Sequence, residues 1–435
     1  MIPEFSYPSW EAETFLKKLA ERGAEADENI KTQVLEILNN VRSRGDEALL
    51  EYTRRFDFPD ATLESLEVKE SEIENAYRAV SSEFLEILRK AIKNIRSFHE
   101  NQKEKSWFQI DEKGRLVGQL VRPVQSAGLY VPGGTGGNTP LISTLLMTAI
   151  PARVAEVPDI ALVSPPRKDG SLHPGLLVAA KEVGVNRIYK VGSAWAIGAL
   201  AYGTETIKPV NVIVGPGNIY VTTAKKIVAG LVGIDILAGP SEILIVADET
   251  AFPSYVAADL LSQAEHDTMA SSILITTSKQ ISEKVRSALE DQLKLLGRKK
   301  VALASLKSYG ASFIVSSTDQ AVELVNRIAP EHLEIHVKDP WSFLGRIKNA
   351  GAVFLGSYTP EAVGDYFAGP NHVLPTSATA RYASALNVGV FFKRISVLQY
   401  TKEALDEDVK TIAEMARWEG LEAHARSVLI RRGSE

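Results

Sequence analysis

The chain has 435 residues, with 49 basic and 54 acidic side chains for a net charge of −5, and no cysteine. That length predicts two to four domains at roughly 100–200 residues each, and the near-balanced charge gives no reason to expect nucleic acid or an anionic membrane as partner. Without cysteine there are no disulfides and no thiolate ligands, so any metal must be held through nitrogen and oxygen.

The first residues, Met1-Ile2-Pro3-Glu4-Phe5-Ser6, carry neither the basic nor the apolar stretch of a secretory leader. No apolar run approaches the roughly 20 residues needed to span a bilayer, so a cytoplasmic protein is expected. From 11 to 100 the spacing is helical, with Val34, Leu35, Leu38 and Val41 marking one buried face. Residues 107–124 read as a hairpin around Asp111-Glu112-Lys113-Gly114. Strands then alternate with helices: strands at 126–131, 160–163, 187–191 and 210–214, helices at 141–150, 174–183, 194–202 and 220–229. A second alternating region has strands at 242–247, 271–277, 312–316, 332–337 and 351–355, and the two regions join near Ala238-Gly239-Pro240-Ser241. Residues 365–394 are irregular and 402–428 helical. Alternation at this spacing implies parallel sheets with crossovers, hence an α/β protein with two modules.

Ligands in such folds bind beyond the carboxyl ends of strands. Two glycine-rich turns lie there, Pro132-Gly133-Gly134-Thr135-Gly136-Gly137-Asn138 and Gly215-Pro216-Gly217-Asn218. Each precedes a helix N-terminus, which favours phosphate, yet neither is a G-x-G-x-x-G or Walker sequence. The histidines are more informative. His99 and His173 read as surface residues and His336 as structural within its strand. Gln263 and His266 lie three apart near a helix end, so both project from one face. Glu331-His332 joins a helix to a strand, placing a carboxylate beside an imidazole for acid–base work. Asp365 opens a polar, glycine-containing loop that ends at His372, and Glu419-Gly420-Leu421-Glu422-Ala423-His424 interrupts a helix. Together these residues offer the amide, carboxylate and imidazole donors that a cysteine-free zinc site needs.

The motifs Gly215-Pro216-Gly217-Asn218, Gly239-Pro240-Ser241-Glu242, Gln263-Ala264-Glu265-His266-Asp267, Pro330-Glu331-His332-Leu333-Glu334, the run from Gly364-Asp365-Tyr366 to Asn371-His372, and Glu419 to His424 occur in one order. In this the chain resembles the histidinol dehydrogenase family over nearly its whole length. The resemblance implies two incomplete Rossmann-like domains with parallel-rich sheets and small N- and C-terminal helical segments. It implies an N-terminal segment at 1–26, a discontinuous domain from 27–128 and 242–386 carrying zinc and catalytic residues, a cofactor domain at 129–241, and a helical tail at 387–435 that contacts a partner subunit. It also has the N-terminal helices packing with the second module.

By the same resemblance, Gln263, His266, Asp365 and His424 bind one zinc ion, with His424 donated across a homodimer. Glu331 and His332 form the catalytic pair: His332 takes the alcohol proton, and Glu331 activates water against a bound aldehyde. Ser241, His372 and Glu419 join Gln263, His266, His332, Asp365 and His424 around the substrate, L-histidinol, while Tyr130 and Asn218 contact NAD. Three departures bear on the cofactor. Trp195, in Gly192-Ser193-Ala194-Trp195-Ala196-Ile197, stands where the family usually has glutamine, and an indole offers a stacking surface in place of an amide. The turn after Tyr130 is richer in glycine than usual, and Ser377-Ala378 stand where Gly-Gly is usual. A related dehydrogenase for another small alcohol, a metal-dependent hydrolase and a non-catalytic nucleotide-binding scaffold are the competing readings. Retention of Glu419 and His424 argues against the first of these.

Overall fold

The computed structural model describes residues 2–22, 28–133, 140–185 and 187–432. Most of the glycine-rich turn after Tyr130, residues 134–138, lies outside the described residues. The chain forms two compact units: Met1–Gln102 with Gln125–Phe391, and Lys103–Val124 with Phe392–Glu435.

The larger unit holds two sheets, both wholly parallel. One has five strands in the order Arg187–Tyr189, Asp159–Val163, Ser126–Tyr130, Val212–Val214, Gly233–Ile234. The chain runs outward from Ser126–Tyr130 and then crosses back to Val212–Val214, so the order reverses between those two strands. Both glycine-rich turns leave the carboxyl ends at that reversal, where open α/β sheets bind ligands. Gly215 has φ +116°, and a Cβ there would lie 2.1 Å from the Tyr130 carbonyl oxygen, so only glycine fits. Buried Lys225 ties the turn by donating to the Gly215 and Ile236 carbonyls, both at 2.9 Å, and by pairing with Asp235.

The other sheet has six strands: Glu4–Ser6, Ala311–Ile314, Ser271–Thr276, Glu242–Ala247, His332–His336, Ala352–Leu355. Its order reverses between Glu242–Ala247 and His332–His336, paired in register from Ile243 opposite His332 to Ala247 opposite His336. Alternation decides the faces. Leu244, Val246, Leu333 and Ile335 join Phe15, Leu16 and Val325 on one side. Ile243, Ile245 and Ala247 meet Val256 and Leu260 of the helix Pro253–Ala264 on the other. His332, Glu334 and His336 alternate on that second side, a buried polar row along an otherwise apolar strand.

Several boundaries differ from the sequence reading. Glu4–Ser6 is an edge strand of the six-stranded sheet, too short to show as a pattern. The helices Glu28–Arg44 and Asp46–Phe56 bury Val34, Leu38, Val41, Leu49 and Tyr52 against Trp195, Ile197 and Leu200. They therefore pack on the five-stranded sheet, not on the second module. From this region Glu4–Ser6 and the helix Trp10–Glu21 serve the second sheet. In the smaller unit the hairpin Trp107–Ile110 and Leu116–Pro123 gains a third antiparallel strand, Phe392–Gln399, so residues 387–435 are not wholly helical. His99 is fully buried, bonded to Gln102 at 2.7 Å, and is no surface residue. His173 is half-buried and caps the helix Pro174–Glu182 by accepting from the Gly175 amide at 3.0 Å.

Ser377 and Ala378 have φ +53° and +60°. This left-handed conformation costs an L-residue about 1–2 kcal/mol, which glycine avoids. Ala378→Gly is expected to stabilise the protein by about 0.5–1 kcal/mol after glycine's entropic penalty. A raised urea midpoint at unchanged m-value would show it, and a lowered midpoint would mean that contacts already offset the strain.

Candidate active site

The polar cluster forms at the amino ends of the two strands of the six-stranded sheet between which the order reverses. Glu242 and His332 are the first residues of their strands. The chain re-enters that edge at Pro330-Glu331, directly after the helix Thr318–Ile328 ends at Ala329, a left-handed residue. The helix Pro253–Ala264 brings Gln263 to the cluster, and Glu361 and Asp365 arrive with the short turns after the strand Ala352–Leu355.

Glu331 and His332, expected as a catalytic pair, are both buried in this cluster. His332 Nδ1 lies 2.9 Å from the Glu242 backbone carbonyl. A carbonyl only accepts, so Nδ1 carries the proton and Nε2 of the neutral ring is the basic nitrogen. Nε2 is buried and finds no hydrogen-bond partner, with Glu361 Oε1 and Asp365 Oδ1 each 3.8 Å away. Glu331 Oε2 stands 3.7 Å from Nδ1 and accepts from the Glu242 amide at 2.8 Å.

Charge is crowded here. Burial pushes the Glu331 carboxyl up to about 8, against the pull of His332. Burial alone would lower the His332 imidazole, but Glu331, Glu361 and Asp365 outweigh it and raise the ring well above its ordinary value. Burial raises Glu361 to about 7. Burial also acts to raise Asp365, yet His332, His372 and His266 together hold it below the usual carboxylate range. One imidazole facing three carboxylates is a site short of positive charge.

Gln263 joins this cluster. Its fully buried amide faces Glu361, 2.6 and 2.8 Å from the carboxylate oxygens. With its nitrogen there, the amide donates to both, and its oxygen accepts from the Glu242 amide at 3.2 Å. With its oxygen there, only a proton on Glu361 or a cation makes the contact favourable. His332, Glu361 and Asp365 each offer a ligand atom within 4.8 Å of the others. Amide, imidazole and carboxylate donors suit a divalent transition metal. The residues thus fit the metal that the sequence implies.

The remaining residues fall as follows. His266 lies exposed just beyond the helix carrying Gln263, and its charge acts on Asp365. His372 Nδ1 bonds the Asp365 carbonyl at 3.0 Å, and Ser241 immediately precedes Glu242. Glu419 and His424 are exposed residues of the smaller unit, flanking Gly420 (φ +75°), where one helix stops and the next begins. Tyr130 is buried, its hydroxyl accepting from the Ser193 amide at 3.2 Å. Asn218 caps the helix Ile219–Val228 through the Tyr220 and Val221 amides, both at 3.1 Å. Trp195 stacks against both Tyr52 and Phe56, with ring centroids at 5.8 and 5.5 Å, so its indole packs inward on the protein's own rings.

Sequence reasoning missed Glu361 and the double role of Glu242. Glu361 sits four residues before Asp365, one helical turn away, and that spacing is the signal that points to it. A second buried group, Asp259, Glu334 and His336, backs the site: His336 Nε2 lies 3.1 Å from Glu334, whose other oxygen accepts from the Glu361 amide at 2.8 Å. This supports the structural reading of His336.

Two parallel α/β sheets, with an imidazole among buried carboxylates, define a class: an α/β protein with an acid–base cluster whose nitrogen and oxygen donors could hold a metal ion. The chain matches the family model for histidinol dehydrogenase over residues 20–432. It is 54% identical over 423 residues to a histidinol dehydrogenase of Desulfotalea psychrophila, covering 97% of this chain and 98% of that one. It is 51% identical over 416 residues to that of Bacillus subtilis, covering 96% of each. The crystal structure of histidinol dehydrogenase from Elizabethkingia anophelis superposes with a TM-score of 0.92 at 37% identity, covering 99% of this chain and 98% of that one. The chain belongs to the histidinol dehydrogenase family.

Proposed function

We propose that the protein oxidises L-histidinol to L-histidine through a bound aldehyde, using zinc and two NAD per substrate. The observation that carries this reading is His332, a buried imidazole whose Nδ1 is held by the Glu242 carbonyl and whose Nε2 faces the Glu361 and Asp365 carboxylates; a divalent cation on those carboxylates would offset the charge that keeps the ring protonated and free Nε2 as a base. Gln263, His266 and Asp365, with His424 of a second copy, would hold the zinc. Bound zinc orients the amino and imidazole nitrogens of the substrate, and bound NAD accepts hydride in each oxidation. His332 Nε2 takes the hydroxyl proton as the alcohol is oxidised. Glu331 then takes a proton from water as the water oxygen adds to the aldehyde carbon, and His332 returns its proton to the aldehyde oxygen, giving the hydrate that the second oxidation converts to the acid. Ser241, His372 and Glu419 surround the substrate, and holding the aldehyde in one site through both steps protects it from side reactions. Tyr130 and Asn218 border the cofactor at the carboxyl edge of the five-stranded sheet. The reading places the enzyme in the cytoplasm as a homodimer; among the described residues no helix is long and apolar enough to cross a membrane.

Subunit sharing has a sharp test. His424→Asn and Asp365→Asn variants are each expected to be inactive. Co-expressed, they place one intact site in every mixed dimer and recover about a quarter of the wild-type rate with L-histidinol and NAD. No recovery, with mixed dimers present by mass spectrometry, would rule out a site built from two chains.

A further inference from the structure

Glu242 touches the catalytic pair through three of its four polar atoms. Its backbone carbonyl accepts from His332 Nδ1 at 2.9 Å, its amide donates to Glu331 Oε2 at 2.8 Å, and its Oε2 accepts from the Glu331 amide at 3.3 Å. The remaining oxygen, Oε1, accepts from Arg22 and from the Ser377 amide at 3.0 Å. Arg22 ends the first helix of the chain, 220 residues from Glu242, and its side chain is fully buried. A second guanidinium nitrogen donates to the Met269 carbonyl at 2.8 Å, and the group lies over the Tyr309 ring, 5.5 Å from its centroid. A planar fork held by an anion, a carbonyl and a ring has one orientation available to it. Glu242 is thereby held at the carboxylate oxygen that the catalytic pair does not use.

We propose that Arg22 is a positioning residue for the catalytic pair, acting through Glu242 on Glu331 and His332. This rests on the reading of Glu331 and His332 as the reacting groups. Without Arg22, the Glu242 carboxylate is a buried anion with two amides and no cation, and it must turn toward water or take a proton. Either change shifts the backbone that holds His332 Nδ1 and the Glu331 carboxylate. A cavity of about 520 Å³, bordered by Leu16, Leu19, Ala20, Glu242, Ser377 and Arg381, lies beside the ion pair and gives small solutes a way in.

The test uses full-length, zinc-loaded dimer carrying Arg22→Ala, Arg22→Lys, Glu242→Gln, or Arg22→Ala with Glu242→Gln. Arg22→Ala is expected to lower kcat by about tenfold to a hundredfold, the usual cost of displacing reacting groups by an ångström. KM for L-histidinol and bound zinc should stay within about threefold and unchanged respectively, because the substrate contacts are elsewhere. Millimolar guanidinium should restore part of the lost kcat in Arg22→Ala and none in the double variant. The double variant should be no slower than Glu242→Gln, since both changes act through one carboxylate. Should Arg22→Ala fail to fold, Arg22→Lys and Glu242→Gln carry the same kcat prediction. Wild-type kcat in the folded variants, or a lowered melting temperature with no kinetic change and no guanidinium rescue, would overturn the proposal. His332→Asn is the control: if it retains turnover, the reading of the catalytic pair falls, whatever Arg22 does.

Discussion

His332→Asn is expected to lower kcat for L-histidinol oxidation by about 10²–10⁴-fold, the usual contribution of a positioned acid–base group, while zinc content stays at the wild-type level. The asparagine amide still donates to the Glu242 carbonyl that now fixes Nδ1, so the strand edge keeps its hydrogen bond. What is lost is the basic nitrogen that faces Glu361 and Asp365 at 3.8 Å with no partner of its own. Steady-state kinetics with metal analysis of the same sample check this. Loss of zinc along with activity would instead make His332 a ligand, a role its place between Glu361 and Asp365 permits.

The second large effect separates the two oxidations. Glu331→Gln should still convert bound histidinol to aldehyde in a single turnover, but its steady-state rate should fall by about 10²–10⁴-fold because no base activates water. The wild-type pH dependence follows from the direction of the shift. Burial raises the Glu331 carboxyl to about 8, so its proton-accepting form gains population as pH rises through that value. With histidinaldehyde as substrate, the rate should climb over that range, and Glu331→Gln should flatten the climb. Rapid-quench measurement of the first NADH, beside the aldehyde pH profile, reads both. If Glu331→Gln blocks the first NADH, Glu331 acts in alcohol oxidation.

Much of this architecture was legible because strand runs and helical spacing are local. Ile243, Ile245 and Ala247 against Leu244 and Val246 show a strand buried on both faces. Spacing says which face of a helix is buried and not what covers it. The resemblance, not the spacing, assigned the N-terminal helices to the second module, whereas Glu28–Arg44 and Asp46–Phe56 pack on the five-stranded sheet. His99 was hidden by its charged neighbours, although Leu88, Ala91, Ile95 and His99 share one helical face and are all buried.

At the site, the residues that donate side chains were visible as motifs, except Glu361. Those that act through the backbone or from a distance were not. Glu242 stood inside a quoted motif, yet its grip on the pair depends on which strands are neighbours. Arg22 ends an ordinary amphipathic helix, and no pattern links it to a carboxylate 220 residues on. Trp195 was placed by its position in a motif, whereas the rings of Tyr52 and Phe56 decide what it stacks on.

The stoichiometry of the complete reaction tests the central claim most directly. Limiting L-histidinol is incubated with excess NAD and zinc-loaded protein, and NADH and L-histidine are both quantified at completion. Two NADH and one L-histidine per L-histidinol, with no free aldehyde, is the result this account requires. One NADH with released aldehyde, or no NADH at all, would contradict it.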